Sequence, residues 1–117
     1  KRRMPRKLKV AFSSSPANAT HATFRDLGFV ARADGAFDVY CCGGLGNNPK
    51  MGVRVASAIA PSRVLYYVEA MIRLFIAYGD YTNRSRARTR YLQDTLGENL
   101  KSEFDLKLVE AMSARRR

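Results

Sequence analysis

The stretch DLGFVARADGAFDVYCC, Asp26 to Cys42, decides how the rest of the chain is read. Asp34-Gly35 is a tight-turn dipeptide between two runs rich in branched and aromatic residues. The spacing predicts a strand over Asp26 to Ala33, a turn, and a returning strand over Phe37 to Cys42. A hairpin of this kind places antiparallel sheet near the start of the chain.

Upstream, KLKVAFS (Lys7 to Ser13) reads as another strand. Alternation puts Leu8, Val10 and Phe12 on one face and Lys7, Lys9 and Ala11 on the other. Two ammonium groups on one strand face repel unless an anion sits between them, and they can donate protons to a bound oxyanion. Between this strand and the hairpin lies a run of small polar residues, Ser14 to Thr20, around Pro16. Downstream, the hairpin runs into a glycine-rich segment, Gly43 to Gly52.

The helices follow. Pro61 to Tyr78 carries Val64, Leu65, Val68, Met71, Ile72 and Phe75 on one stripe at helical spacing, which predicts a core-facing helix. Pro61 suits a first helical position and Gly79 a stop. A second helix is expected from about Asn83 to Leu96, with Thr82 or Asn83 as cap and Gly97 as stop. A third, about Asn99 to Ser113, buries Leu100, Phe104, Leu108 and Met112 or their neighbours. Strands first and helices after predict an α+β fold, a small mixed sheet with helices packed on it.

With 117 residues the chain is expected to be a single domain. Lys and Arg number 21 against 10 acids, a net charge of +11, which predicts an anionic partner. The two cysteines, Cys41 and Cys42, are adjacent, so a disulfide framework and a closed zinc site are both excluded. That usage fits a reducing cytoplasm. No signal peptide and no apolar run of membrane-spanning length is found. The ends, Lys1-Arg2-Arg3 and Arg115-Arg116-Arg117, read as domain boundaries within a longer protein.

Three features could carry chemistry besides the lysine strand. Arg84, Arg86, Arg88 and Arg90 crowd the start of the second helix, where the helix dipole disfavours cations, which points to an external anion. Arg84 and Arg88 share one face. Gly43, Gly44 and Gly46 let backbone amides approach a carboxylate or phosphate, although neither a dinucleotide fingerprint nor a P-loop is present. His21, the one histidine, reads as a loop hydrogen-bonder rather than a general base.

The order PRKLK, P-x-N-x-TH, DLGFVAR, FDVY, GGLG-x-NP, then YGDYTNRSRARTRYL, resembles the sirohaem-dependent nitrite and sulfite reductases, in the domain called the nitrite/sulfite reductase 4Fe-4S domain. The resemblance runs from Pro5 to about Glu110. It implies six-electron reduction of sulfite to sulfide or nitrite to ammonia, at a sirohaem coupled to a 4Fe-4S cluster. The carboxylate rim of the haem would be the common partner of the cationic features. Carried over by position, Lys7 and Lys9 would contact the substrate anion and Arg6 a sirohaem carboxylate. Asn18 and His21 would face the cofactor. Gly43, Gly44 and Gly46, with Arg84 and Arg88 among the arginines, would border its rim.

The family's cluster loop reads Cys-Pro-x-x-Cys, and here Ser15 and Ala19 stand at the cysteine positions. No cluster is therefore expected on this chain alone, and the isolated chain is expected to be inactive. The family's haemoproteins have two similar halves, and this chain resembles the cysteine-free first half. A second half whose cysteines were replaced is the alternative. The implied partners are the remaining half, sulfite or nitrite, and an electron-donor protein. A basic nucleic-acid-binding module and a structural pseudo-domain packed on a catalytic half are the rival readings. The first lacks any interleaving of aromatic residues with the basic strand.

Overall fold

The protein is described by a computed structural model over residues 9–14, 22–23, 25–44, 51–78 and 92–115. Four strands form one sheet in the order β1-β2-β3-β4: β1 Val10–Ser13, β2 Leu27–Ala31, β3 Phe37–Cys41 and β4 Val53–Ile59. β1 lies parallel to β2, with Val10 opposite Leu27, and the other two pairings are antiparallel. The sheet is therefore mixed, and the fold is α+β, as the order of elements predicted.

The expected hairpin is present. Arg32 and Ala36 close it through an amide-to-carbonyl bond of 2.8 Å, and Asp34 accepts the Ala36 amide at 3.0 Å. β4 is a strand that the sequence reading passed over. Its alternation fails near its end, where Ser57 and Ala58 are both exposed, Ala58 has a φ of 58°, and the register against β3 shifts. A bulge of this kind breaks the two-residue period by which a strand is recognised.

Helix α1, Val64–Tyr78, follows a short 3-10 turn over Pro61–Arg63. Ala60 is extended before the proline, as its ring demands. The buried face of α1 is Tyr67, Ala70, Met71, Leu74 and Phe75. The expected stripe is thus corrected by a small rotation. Val64 and Val68 flank the core, while Leu65 is 61% exposed. The cause is Tyr67, whose ring stacks on Phe104 with centroids 6.1 Å apart and draws its side of the helix inward.

Helix α2, Leu92–Leu96, gives way at Gly97 to a 3-10 turn and then to α3, Leu100–Arg115. The cap expected at Thr82 or Asn83 and the stop at Gly79 lie outside the described residues. In α3, Leu100, Phe104 and Ala111 are buried, and Leu108 packs against the core. α1 and α3 cover one face of the sheet. There Leu27, Phe29, Val39, Cys41 and Val55 meet Met71, Leu74, Phe75, Leu100 and Phe104. The opposite face holds a smaller cluster, Ala11, Ala22 and Val30, with Tyr40 beside it.

No described helix is long and apolar enough to cross a membrane.

Candidate functional site

The described residues of the segments singled out from the sequence lie at one end of the sheet. That end is formed by the starts of β1, β2 and β4 and the finish of β3. Lys9 enters β1 here. Its amide donates to the Asp26 carboxylate at 2.7 Å, and its carbonyl accepts the Leu27 amide at 3.1 Å. Asp26 is itself buried, and its own carbonyl takes the Cys42 amide at 2.8 Å. One acidic residue therefore joins the entry of the lysine strand, the start of β2 and the end of β3. The Lys9 side chain is exposed.

The helical residues Ala22 and Thr23 reach the same place. The Thr23 carbonyl accepts the Gly52 amide at 2.6 Å, and the Arg25 carbonyl accepts the Gly43 amide at 3.0 Å. Two glycines make this approach possible. A Cβ on Gly43 would overlap the Thr23 carbonyl, and one on Gly28 would overlap the Ala22 carbonyl. The Gly43 amide is thus already donated inside the fold. What Gly43 supplies is close backbone packing, rather than the free anion-binding amide expected of it.

From the helical side, Gln93 of α2 donates through Nε2 to the carbonyls of Cys42, at 2.8 Å, and Met51, at 2.9 Å. One of these carbonyls precedes the glycine-rich segment and the other lies near its end. Leu92, 2% exposed, anchors the same turn in the core. The described residues Lys9, Ala22, Gly43, Met51 and Leu92 therefore all lie at this end.

Of the expected site residues, Lys9, Gly43 and Gly44 are described, and they sit together at this end. Arg6, Lys7, Asn18, His21, Gly46, Arg84 and Arg88 lie outside the described residues, as do Ser15 and Ala19. The structure adds Asp26, Gln93 and Arg54. Arg54 is exposed beside the start of β4, opposite Tyr40. Asp26 had a usable signal, an acid immediately before a buried apolar strand. Gln93 had none, since its partners lie more than forty positions away.

Cys41 and Cys42 are free, and both are fully buried in the main core. The hydrogen bond between the two thiols, with burial behind it, pushes the Cys42 thiol well above its ordinary value. Cys42 also holds a left-handed φ of 65°, so the chain turns sharply as it leaves β3. Among the described residues no group of three or more His, Cys, Asp or Glu side chains could hold a metal.

A family model described as nitrite and sulphite reductase 4Fe-4S domain matches residues 1–111. The chain belongs to this family. It is 36% identical over 104 residues to a sulfite reductase (NADPH) hemoprotein beta-component of Acidithiobacillus ferrooxidans, covering 80% of this chain and 18% of that protein. The protein of that name from Bordetella petrii is 34% identical over 125 residues, covering 97% of this chain and 21% of the other. Among solved structures, the Mycobacterium tuberculosis NirA protein matches with a TM-score of 0.76 at 25% identity, over 95% of this chain and 20% of that one. The chain thus spans about a fifth of the length of these relatives.

Members of the nitrite and sulphite reductase family are named for a 4Fe-4S cluster, and the donor set can be tested against one. Such a cluster is held by four thiolates. The chain has two cysteines, adjacent and both in the core. They do not fit a cluster. The sheet end presents exposed Lys9 and Arg54 with Arg25 between the anchors, and its acid, Asp26, is buried in backbone contacts.

Proposed function

We propose that the chain acts as one domain of a sirohaem sulfite or nitrite reductase, supplying cationic contacts to the substrate anion and to the cofactor's carboxylates. What supports the reading is that the described anchors Lys9, Thr23, Gly43 and Gln93 lie at one sheet end, while the neighbouring sequence carries Arg6, Lys7, Asn18, His21, Gly46, Arg84 and Arg88. Sirohaem, when bound, would pass to the anion the electrons that a donor protein delivers. The chain's part is electrostatic. Lys7 and Lys9 hold the oxyanion and give a proton from Nζ to an oxygen as negative charge develops there. Arg6, Arg84 and Arg88 pair with cofactor carboxylates, for which a planar guanidinium is suited.

In this reading the cluster thiolates come from the remaining half of the enzyme, and an electron-donor protein feeds that half. The chain corresponds to the cysteine-free half, and alone it turns over nothing. The unbridged thiols are in keeping with a cytoplasmic setting.

The test is a titration of the purified chain with sirohaem, followed by absorbance, with DNA and RNA oligomers as competitors. A saturable shift weakened by Lys9→Ala is expected. Tight, steeply salt-dependent oligomer binding without a sirohaem response would replace the proposal with the nucleic-acid module that the charge of +11 also favours.

A further inference from the structure

Lys9 stands just before β1, an edge strand, yet its backbone is held on both sides. Its carbonyl accepts the Leu27 amide at 3.1 Å, the bond with which the parallel ladder to β2 begins. Continued by one step, that ladder would offer the Lys9 amide the carbonyl of Arg25. The Arg25 carbonyl is already taken by the Gly43 amide at 3.0 Å. Asp26 supplies the acceptor instead: its Oδ2 receives the Lys9 amide at 2.7 Å, and the residue is buried. A side chain thus replaces a backbone acceptor at the position where the expected anion contact sits.

By the alternation of β1 the Lys9 side chain leaves on the side of Ala11, the face away from α1 and α3, and it is exposed. Among the described residues no ion pair takes its ammonium. An acid beside an anion-binding cation ordinarily pairs with it and spends its charge. Here the neighbouring carboxylate turns to the lysine's backbone.

We propose that Asp26 is a positioning residue for Lys9, whose buried carboxylate fixes the lysine's backbone so that the ammonium is presented to an external anion from a set base. The positioning role rests on the function proposed above; the backbone anchor does not. Asp26→Ala and Asp26→Asn remove the same charge, and the asparagine oxygen still accepts, so the difference between them isolates the acceptor. Asp26→Ser, whose hydroxyl falls one bond short, takes the place of the alanine variant if that one folds poorly.

Amide hydrogen exchange of the purified chain, with no ligand added, reads the anchor. The Lys9 amide is expected to exchange about tenfold faster in Asp26→Ala than in Asp26→Asn, with α1 and α3 unchanged. Sirohaem titration reads the positioning, and affinity should be about fivefold lower in Asp26→Ala than in Asp26→Asn. A purely structural role would produce the same gap in any background. The pair is therefore compared again in the Lys9→Ala chain, where the two should bind alike. Equal exchange of the Lys9 amide in the two variants overturns the anchor and the positioning role together. A gap in affinity that persists without the Lys9 side chain shows a structural brace and overturns the positioning role, as does no gap at all. A wild-type chain that binds no sirohaem overturns the function proposed above and the positioning role with it, while the exchange result still scores the anchor.

Discussion

Asp38 shows how much one side chain can organise. Its Oδ1 accepts from Arg32 Nη1 at 3.1 Å, Ser57 Oγ at 3.0 Å and the Ala58 amide at 3.1 Å, and so it stabilises the bulge in β4. Burial pushes the Asp38 carboxyl up, but the Ala58 amide, then Arg32 and Ser57, outweigh it and hold it below the ordinary carboxylate value. The folded value is the depressed one. The stabilisation is therefore complete above the ordinary carboxylate pKa and is lost as pH falls through the lowered one. Asp38→Ala should cost about 1–2 kcal/mol at neutral pH by urea unfolding, and Asp38→Asn should flatten the acid limb of the stability profile. The buried thiols make a second case at this scale. Cys41 and Cys42 should both resist a thiol reagent in the native chain and react promptly once it is unfolded, because both are inaccessible and the Cys42 thiolate is disfavoured. Prompt native labelling would mean that the end of β3 opens.

Between elements, α1 and α3 are held by the stacked Tyr67 and Phe104 rings and by polar contacts at their rims. Tyr78 donates to Glu103 at 2.8 Å, and Arg73 bridges Glu69 at 2.8 Å and Glu110 at 3.5 Å. The rim pairs are substantially exposed and add little, whereas the rings exclude water. Phe104→Ala should therefore cost about 3–5 kcal/mol. Leu106→Ala, two positions on and 57% exposed, should stay within about 0.5 kcal/mol in the same unfolding assay. Equal costs would mean that α3 presents a different face. The start of the sheet follows a similar logic. Phe12 stacks on Phe29 at 4.8 Å yet remains 50% exposed, because β1 is an edge strand and nothing described covers its outer side. Ala11 and Ser13, facing the other way, are buried.

At the scale of the whole molecule, the excess of cations is the dominant property. A net charge of +11 on a chain this small attracts any polyanion, and only geometry confines that attraction to one place. Binding of a carboxylate-rich cofactor should weaken roughly tenfold between about 0.05 and 0.5 M salt. Lys9→Ala should lower affinity at low salt and leave a shallower salt dependence, whereas Lys101→Ala on α3 should change neither beyond its share of net charge. Titrations at several ionic strengths decide this, and equal effects of the two variants would argue against a localised anion site.

What the amino-acid sequence determined by itself was whatever depends on neighbours a few positions apart. The Asp34-Gly35 turn, the strands around it, the existence of a helix from Val64 onward and the stop at Gly97 are local preferences, and each is found where it was expected. The ordered motifs carried the family as well, because they are short runs whose order survives in the chain. The tertiary structure alone decided the rest. β4 escaped notice because its bulge at Ala58 breaks the alternation, and the Asp38 carboxylate that accepts the amide there stands across the sheet, twenty positions away. The core face of α1 was misjudged by a small rotation because Phe104, far along the chain, chose Tyr67 as its neighbour. Gly43 looked like an anion loop until the carbonyl of Arg25 was seen to occupy its amide. Gln93 carried no signal at all, since its chemistry lies in two carbonyls brought to it by the fold. Contacts between distant positions arise only when the chain closes on itself, and it is those contacts that bring Lys9, Thr23, Gly43 and Gln93 to one end of the sheet.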